Sequence, residues 1–311
     1  MDVIFCGTPR FAVPALRALV ESGFHVRLVV SQPDRAAGRG LVTVPTPVKE
    51  FAVEHGLPAT QPEKIKNNAE FRARLELLRP EAIVVVAYGR IIPQWMLDLP
   101  PLGNINVHAS LLPKYRGAAP IQWAIASGET VTGVTTMRLD AGLDTGDMLL
   151  KAEIGILPED TSETLAPRLS ELGGSLLIDA LRGLQAGTIT PTPQNHQEAT
   201  LAPILTKEDG RIDWNRTATE TANRLRGFTP WPGAFTSFRG KTLSISKAAP
   251  AAAGMEPLAP GQMHAQGDHL YVGCGQSTVL EVFELQPEGK KRMSARDFVN
   301  GYRPAPHETA G

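Results

Sequence analysis

Three polar side chains have the types and the spacing for proton transfer and for stabilising a developing negative charge. Asn106 and His108 are two residues apart at the end of an apolar run, so their side chains point to the same face of a strand. An amide N–H can donate to a developing oxyanion, and an imidazole can accept a proton near neutral pH. In the Gly-rich segment "LDAGLDTGD", Asp144 lies between Asp140 and Asp147. A carboxylate from this loop could orient the imidazole and stabilise its charge.

A structural role for the same residues is the alternative. Asn106 could cap a turn, His108 could fill a polar pocket, and the aspartates could be ordinary turn residues. Spacing alone leaves both interpretations open. If the group is catalytic, it contains no Ser or Cys nucleophile. That favours direct attack by a nucleophile of the substrate over a covalent enzyme intermediate.

The elements that must position these side chains alternate between short apolar runs and helical patterns. The runs "DVIFCG", "HVRLVVSQ", "EAIVVVAYG" and "GNINVHA" predict strands. Such strands separated by helices predict a Rossmann-like, mostly parallel α/β sheet that is covered on both faces. Ligands bind at the carboxyl ends of the strands in these sheets. One crevice is therefore expected among the loops after Gly7, Gln32, Tyr88, Val107 and Leu139.

Changes in texture along the chain predict two domains and a linker. Residues 1–188 form the α/β domain, which ends in a long helix with Asp160 as its N-cap and Glu163 in a capping box. The Pro- and Thr-rich residues 189–206 have no sustained period and predict a linker. Residues 207–311 contain one helix and then short alternating strands split by Gly and Pro. They predict a smaller, OB-like β-barrel domain.

Composition excludes several other classes of protein. The chain has 311 residues, of which 42% are hydrophobic, and a formal net charge of −1, which is typical of a soluble globular protein. Two cysteines provide no disulfide framework and favour a reducing, cytoplasmic setting. Neither a signal peptide nor a membrane span is expected. The first strand is followed by no G-x-G-x-x-G fingerprint and the histidines form no H-x-x-x-H pair, so neither a nicotinamide cofactor nor a metal is expected.

Several motifs carry a resemblance to a known family. "FCGTPRFAVPAL", "SQPDRAAGRG", "VVAYGRIIP", "NVHASLLPKYRGAAPIQWAI", "MRLDAGLDTGDML" and "GFTPWPGAF" occur in order along nearly the whole chain. In this order they resemble the methionyl-tRNA formyltransferases, which belong to the wider group of 10-formyltetrahydrofolate-dependent transferases. "GKKRMSARDFVNGY" is similar to the terminal domain of the same family. The resemblance implies transfer of a formyl group from 10-formyltetrahydrofolate to the α-amino group of methionine on initiator tRNA.

The resemblance also implies roles for particular residues. Asn106, His108 and Asp144 match the family's catalytic trio, and no metal is implied. Folate is expected beside the "SLLP" stretch and against the loop that begins after the third predicted strand. The candidate folate contacts are Ser110, Leu111, Leu112, Pro113, Tyr88 and Gly89.

Contacts with tRNA are expected from basic residues in two regions. The long loop 33–49 contains Arg35, Arg39 and Lys49, which could meet phosphates or stack on an unpaired base. Members of the family often carry lysines after "GRG", whereas this chain has Leu41, Val42 and Thr43 there, which weakens the case for a strongly electrostatic contact. The candidates in the second domain are Lys207, Arg224, Arg226, Lys290, Lys291 and Arg292. A run of charge is more often a solvated face, so this alternative stays open.

Two other functions are kept as alternatives. A formyltransferase acting on an amino-sugar nucleotide would share the first domain and the polar trio, but the "GFTPWPGAF" block argues against it. A non-catalytic folate- or RNA-binding regulator would not need the intact trio. The expected partners are initiator methionyl-tRNA and folate, without a membrane, and the expected state is a cytoplasmic monomer.

Overall fold

The computed structural model describes residues 1–37, 42–306 and 308–311, and the chain divides into two compact units. The first consists of Met1–Pro120, Val131–Gly155 and Ala166–Ala202, and the second of Ile121–Thr130, Ile156–Leu165 and Pro203–Gly311. The first strands along the chain are β1 (Asp2–Gly7), β2 (His25–Val30), β3 (Arg35–Ala37), β4 (Val42–Val44), β5 (Ala59–Thr60), β6 (Ala82–Val86), β7 (Asn104–His108), β8 (Val131–Arg138) and β9 (Met148–Gly155). The first helices are α1 (Val13–Glu21), α2 (Pro47–Glu54), α3 (Ala69–Leu78), α4 (Gln94–Leu97), α5 (Pro120–Ala126) and α6 (Ser162–Ala186).

The first unit is built on a mixed sheet in the order β5-β2-β1-β6-β7-β8-β9. The first five strands in this order are parallel to one another, whereas β8 and β9 run antiparallel to their neighbours. All of β6 is buried, as is β1 from Val3 onwards. Burial along the whole strand is expected for uninterrupted Val and Ile strands that are covered on both faces. The predicted mostly parallel α/β sheet is therefore confirmed.

The register of the sheet sets the position of the polar end of β7. Val85 of β6 pairs with Cys6 on one side and with Asn106 on the other. Asn106 is therefore level with the carboxyl-terminal parts of β1 and β6. His108 lies two residues further along β7, opposite Thr135 of β8. The side chain of His108 thus extends the same face toward the carboxyl edge of the parallel strands.

The loop after Leu139 starts at a different place from the one that a parallel strand would give. Because β8 is antiparallel to β7, its carboxyl end lies beside the amino end of β7, where the Leu139 N–H donates to the Asn104 carbonyl at 2.7 Å. The loop therefore starts at the end of the strands opposite to the end where the loops after Gly7, Gln32, Tyr88 and Val107 begin. It must fold back for any of its side chains to reach His108.

The start of α6 also differs from the prediction. The helix begins at Ser162, and the Thr161 hydroxyl accepts from the Thr164 N–H at 3.3 Å. Thr161 is therefore the N-cap, and the prediction that Asp160 caps this helix is wrong. The Asp160 carboxylate instead accepts from the Leu157 N–H at 2.8 Å and from the Thr164 hydroxyl at 3.0 Å.

The second unit contains an antiparallel sheet with two helices. Its elements are α7 (Ala218–Gly227), β10 (Ala234–Phe238), β11 (Lys241–Pro250), β12 (Met263–Gln266), β13 (His269–Gly273), β14 (Val279–Pro287), β15 (Met293–Ser294) and α8 (Ala295–Tyr302). The strand order is β10-β11-β14-β13-β12, with β15 paired to β14. Trp214, Phe238 and Phe298 belong to its buried apolar core. The predicted smaller β domain is confirmed as an antiparallel sheet, and its closure into an OB-like barrel stays a prediction.

Much of the segment predicted as a linker is packed in the first unit. Thr192 and Met148 exchange two backbone hydrogen bonds of 2.8 and 2.9 Å. Gln194 and Ala202 are both buried, and the Ala202 N–H donates to the Arg116 carbonyl at 2.7 Å. Residues up to Ala202 therefore belong by their contacts to the first unit. The functional division into 1–188, 189–206 and 207–311 stays a prediction.

Within the described ranges, none of the helices is both long enough and apolar enough to cross a membrane. Cys6 and Cys274 are buried free thiols.

Candidate active site

The two amides of β7 have different environments. Asn104 is 1% exposed, and its Nδ2 donates to the carbonyls of Met96 and Leu97 at 2.9 and 3.0 Å. It therefore joins β7 to α4 and has a structural role. Asn106 is partly exposed, and its side-chain amide is hydrogen-bonded to no other described residue. Of the two amides on this face, Asn106 is the one that remains available to a ligand.

His108 is held in a defined orientation. The ring is 6% exposed, and Nε2 lies 2.9 Å from the carbonyl oxygen of Tyr115. Because a carbonyl can only accept, Nε2 must carry a hydrogen and donate it. The other nitrogen, Nδ1, lies 3.6 Å from Oδ2 of Asp144. One ring edge is therefore fixed by the backbone, while the other faces a carboxylate.

Asp144 reaches His108 from the loop between β8 and β9. Its Oδ2 accepts from the Gly117 N–H at 2.8 Å, and its backbone has φ +51°. The left-handed region is one that Asp adopts more readily than most residues. The structure therefore brings Asn106, His108 and Asp144 into one region, as predicted, with the carboxylate beside the imidazole.

The ring nitrogens of His108 face a carbonyl on one side and a carboxylate on the other. Both ring nitrogens face oxygen atoms that act only as acceptors, so a second ring proton on Nδ1 would point at the Asp144 carboxylate. The side chains of His108 and Asp144 are 6% and 13% exposed, so water screens their interaction only weakly. A proton that arrives on His108 during a reaction is therefore stabilised where it arrives.

Two residues that the sequence analysis missed support the Asp144 loop. Arg116 is 6% exposed, and its Nε and Nη2 donate to Gln194 Oε1 at 3.0 and 2.6 Å. Gln194 Nε2 donates to the carbonyls of Asp144 and Gly146 at 2.9 and 2.7 Å. No local pattern indicates this contact, because Gln194 lies in the Pro- and Thr-rich stretch that resembles a linker.

The "SLLP" stretch, residues 110–113, is anchored by Thr135 of β8. Thr135 is buried, donates to the Ser110 carbonyl at 2.7 Å and accepts from the Leu112 N–H at 3.1 Å. The Ser110 hydroxyl is fully buried and donates to the Lys114 carbonyl at 2.6 Å, and Leu112 is buried as well. Leu111 and Pro113 keep partial exposure. Of the four predicted folate contacts here, Leu111 and Pro113 are therefore the ones with exposed side-chain surface.

The loop after β6 is tied to the ends of neighbouring strands. Thr8 Oγ1 donates to the Tyr88 carbonyl at 3.0 Å, and Gln32 Nε2 donates to the carbonyls of Tyr88 and Gly89 at 2.8 and 3.2 Å. The Tyr88 ring is 2% exposed and belongs to the core. Gly89 has φ +75°, and a Cβ there would lie 2.6 Å from Gln32 Nε2. The backbone of this loop can bind a ligand, whereas the Tyr88 ring is packed in the core.

The loop 33–49 contains a small hairpin and a charged cluster. β3 and β4 pair with each other, with Arg35 opposite Val44. Arg35 is exposed and donates to Gln32 Oε1 at 3.1 Å. Lys49 forms an ion pair with Asp34, and hydrogen bonds from Lys49 and then Gln61 hold the pKa of that carboxyl below its ordinary value. Arg39 and Leu41, which the sequence analysis considered in this loop, lie outside the described residues.

The basic candidates of the second unit fall into two groups. Lys207, Lys290, Lys291 and Arg292 are exposed, and Arg292 lies 4.0 Å from Glu284. Arg224 instead lies over the rings of Trp123 and Phe228 at 5.6 and 4.8 Å, and Arg226 donates to the Asp160 carbonyl at 2.8 Å. Burial lowers the pKa of both Arg224 and Arg226. These two arginines have structural contacts of their own, whereas the exposed group is open to a polyanion.

Known proteins share both parts of this chain. A family model described as formyl transferase matches residues 1–181, and one described as formyl transferase, C-terminal domain, matches residues 204–303. A methionyl-tRNA formyltransferase of Koribacter versatilis is 66% identical over 304 residues, which are 98% of this chain and 96% of that protein.

Solved structures share the fold at low sequence identity. An N-formyltransferase from Helicobacter canadensis, in complex with folinic acid and dTDP-3-aminofucose, superposes with a TM-score of 0.66 at 17% identity. The match covers 92% of this chain and 98% of that one. A methionyl-tRNA formyltransferase from Clostridium thermocellum has a TM-score of 0.53 at 20% identity, with 82% and 95% covered.

Proposed function

Because the chain belongs to the methionyl-tRNA formyltransferase family, we infer that it formylates the α-amino group of methionine on initiator tRNA. The donor is 10-formyltetrahydrofolate, and the product is N-formylmethionyl-tRNA for translation initiation. The resemblance seen in the sequence motifs is confirmed by relatives such as the one with 66% identity over nearly the whole chain. For the chemistry, the observation that carries the proposal is the short distance between Asp144 and His108. Oδ2 of Asp144 lies 3.6 Å from Nδ1 of His108, which is on the face of β7 that also carries Asn106.

Asn106 stabilises the negative charge that develops on the formyl oxygen when the amine attacks. Its amide is partly exposed and is not engaged by another described residue, so Nδ2 can donate to that oxygen. The loss of one such donor in other enzymes lowers the rate by roughly 100- to 1000-fold. Asn104, on the same face, cannot replace it, because its Nδ2 is engaged by the backbone of α4.

His108 and Asp144 manage the proton of the attacking amine. The α-amino group has an ordinary pKa of about 8, so a neutral amine is available near neutral pH. The amine carries positive charge once it has attacked, and a proton must leave it. His108 accepts this proton on Nδ1, directly or through a water, while Nε2–H stays on the Tyr115 carbonyl. Asp144 stabilises the charged ring. The bond between the formyl carbon and N10 of the donor then breaks, and N10 takes up a proton, so that tetrahydrofolate leaves as the neutral amine.

The residues around this trio suit a folate, which is an aromatic ring system with polar edges. Leu111 and Pro113 supply partly exposed apolar surface next to His108 in the chain. The backbone of the Tyr88–Gly89 loop lies at the carboxyl edge of the sheet, where ligands of this fold bind. We propose that these groups hold the folate beside Asn106. The side chains of Ser110, Leu112 and Tyr88 are buried, and they support these groups from the interior of the protein.

A first experiment tests the substrate. Purified enzyme receives labelled 10-formyltetrahydrofolate together with either methionyl-tRNA or an amino-sugar nucleotide, and the labelled product is identified. Transfer to methionyl-tRNA is expected, with charged elongator methionine tRNA as the comparison for initiator specificity. Transfer to the sugar alone would contradict the proposal and favour the alternative.

A second experiment tests the trio. Asn106→Ala and Asp144→Ala are expected to lower the rate of formyl transfer by roughly 100-fold or more, while the proteins stay folded by circular dichroism. Asn104→Ala serves as a comparison, because this substitution removes a structural amide from the same face. It should lower the melting temperature rather than the rate per folded molecule. Full transfer by the Asn106 and Asp144 variants would remove the trio from the mechanism.

Recognition of tRNA is proposed for the exposed basic residues of the second domain. Lys207, Lys290, Lys291 and Arg292 are exposed and can pair with phosphates. Replacing Lys290, Lys291 and Arg292 by Ala should weaken binding of methionyl-tRNA and flatten its salt dependence. Lys64→Ala with Lys66→Ala, which removes exposed charge from the first unit, is the control. An unchanged salt dependence in the triple variant would show that this run is an ordinary solvated surface.

The domain division and the state of the protein are also proposals. Residues 1–188 carry out the transfer and residues 207–311 bind tRNA, and the chain works as a monomer in the cytoplasm, where translation takes place. Light scattering of the purified protein at working concentration tests the monomer. A mass of twice the 33.4 kDa of the chain would overturn it.

A further inference from the structure

A buried glutamine connects the catalytic loop to a buried arginine. Gln194 is 5% exposed, and all the contacts described for its amide are strong. Oε1 accepts from two nitrogens of Arg116, at 3.0 and 2.6 Å. Nε2 donates to the carbonyls of Asp144 and Gly146, at 2.9 and 2.7 Å. The two carbonyls belong to Asp144 itself and to the residue two positions further along the same loop.

Only one orientation of the Gln194 amide satisfies these contacts. A guanidinium has donors and no acceptor, whereas the two carbonyls have acceptors and no donor. If the amide were flipped, its NH2 group would face the guanidinium and its oxygen would face two carbonyl oxygens. Arg116 therefore fixes the direction in which the Gln194 amide points, and so fixes the two donations to the loop.

The residue after Arg116 binds the Asp144 carboxylate. The Gly117 N–H that donates to Asp144 Oδ2 directly follows Arg116. The Arg116 backbone is clamped by residues near Gln194, because its N–H donates to the Thr200 carbonyl at 2.9 Å and its carbonyl accepts from the Ala202 N–H at 2.7 Å. Gly117 thus binds the Asp144 carboxylate, and Gln194 binds the Asp144 backbone. These two residues belong to two segments that are hydrogen-bonded to each other, residues 116–117 and residues 194–202.

We propose that Gln194 is a positioning residue for the formyl transfer, which holds the Asp144 carboxylate against His108 by donating to the carbonyls of Asp144 and Gly146. The proposal rests on the role proposed above for Asp144. Asp144 has φ +51°, a conformation that needs support from its surroundings. A misplacement of about 1 Å in a catalytic group can lower a rate on the order of 100-fold. The segment that resembles a linker in sequence is then part of the catalytic apparatus.

Gln194→Glu separates this role from simple stabilisation. The carboxylate keeps an acceptor for Arg116, so the buried cation retains its partner and gains an opposite charge. The donor is lost, and an anionic oxygen replaces it beside two carbonyl oxygens. The expected result is a fall in kcat per folded molecule of about 10- to 100-fold, with KM for both substrates within about twofold and a modest fall in melting temperature from the new repulsion. Gln197→Glu, the same change at an exposed position three residues on, is the matched control and should have wild-type kcat.

Gln194→Met shows what the loss of both contacts does. It removes the Gln194 acceptor for Arg116, which keeps only its side-chain contact of 3.2 Å with His196 Nδ1, as well as the donor, so kcat should fall as for Gln194→Glu and the melting temperature should fall further. If Gln194→Glu kept wild-type kcat while Gln194→Met lost it, the role of Gln194 would be to hold Arg116, and the proposal would be overturned. A lowered melting temperature with unchanged kcat per folded molecule in both variants would overturn it as well.

A double-mutant cycle distinguishes failure of this proposal from failure of the proposed site. Adding Gln194→Glu to Asp144→Ala should cause no further loss of kcat, because residues that act through one group are not additive. If Asp144→Ala itself is fully active, the role of Asp144 fails and the positioning proposal fails with it. If Asp144→Ala is impaired but Gln194→Glu is not, only the positioning proposal fails. Additive losses would mean that Gln194 acts by another route, which also overturns it.

Discussion

Replacing Asp144 by Asn removes one charge from the proposed site and little else. The amide has nearly the same shape as the carboxylate, and its oxygen can still accept from the Gly117 N–H, as Oδ2 does now at 2.8 Å. That oxygen is also the atom that faces Nδ1 of His108 at 3.6 Å, and the NH2 group takes the place of Oδ1. The shape of the side chain and the Gly117 contact are therefore preserved, whereas the stabilisation of a charged ring is lost.

The size of the effect follows from the geometry. Two unit charges at the 3.6 Å separation of Nδ1 and Oδ2 interact by about 4–5 kcal/mol at an effective dielectric constant of about 20. If the ring carries half of the proton's charge in the transition state, about 2 kcal/mol is lost. Since each ~1.4 kcal/mol is a factor of ten, the rate should fall by about 30-fold, and by about 2000-fold if the full charge is present.

Single-turnover kinetics measure this loss without interference from tRNA release. Enzyme in excess over methionyl-tRNA, with saturating 10-formyltetrahydrofolate, is quenched at intervals and the formylated fraction is read. Asp147→Asn, which removes the same charge three residues further along the loop, is the matched control and should stay within about twofold of the wild type. A loss smaller than about threefold in Asp144→Asn would refute the reasoning, because the carboxylate would then not stabilise charge on His108.

Three further predictions follow from other parts of the structure. Gly117 has φ +123°, and a Cβ there would lie 2.6 Å from the Ala202 carbonyl oxygen, so Gly117→Ala should lower the free energy of unfolding by about 1–3 kcal/mol in urea titration; an unchanged midpoint would contradict the clash. Because the pKa of Asp34 is lowered in the folded protein by Lys49 and Gln61, its contribution to stability is present above the unfolded pKa and is lost as the pH falls through the folded one. NMR titration should show the lowered pKa in the wild type and a rise toward the ordinary value in Lys49→Met, and equal values in both would be evidence against it. Burial raises the pKa of both thiols, that of Cys274 to about 11, so a thiol reagent at pH 8 should label neither cysteine in the folded protein and both after unfolding; rapid labelling of the native state would contradict their burial.

The parts of the fold that the sequence predicted are those with strong local patterns. Uninterrupted Val and Ile residues identify β1 and β6, and the alternation in β7 places Asn106 and His108 on one face. The direction of β8 has no such signal, since parallel and antiparallel strands can share the same apolar pattern. For that reason the sequence could not show that the loop after Leu139 starts at the opposite end of the strands, although its Asp144 reaches His108 as predicted.

The support of the site could not be predicted, because it depends on contacts between distant residues. Gln194 is 50 residues from Asp144 and 78 from Arg116 along the chain. A glutamine between prolines and threonines has the composition of a linker, and only the folded chain shows that it is buried. Arg116 gives no better signal, because an arginine in a Gly-bearing loop is usually exposed. Sequence motifs therefore pointed to the groups that we propose to react, but not to the groups that hold them.

The backbone at Asp144 gives a last reason to compare Asn with Ala at this position. Asn, like Asp, adopts the left-handed region readily, whereas Ala pays roughly 1 kcal/mol there. Ala also leaves the Gly117 N–H without the acceptor that it has at 2.8 Å. Asp144→Ala thus combines loss of charge with loss of position, and Asp144→Asn isolates the charge. If the Gln194 donations position the carboxylate, Gln194→Glu should lose the position of the Asp144 charge and keep the charge itself. The carboxylate then remains in the loop but no longer faces His108.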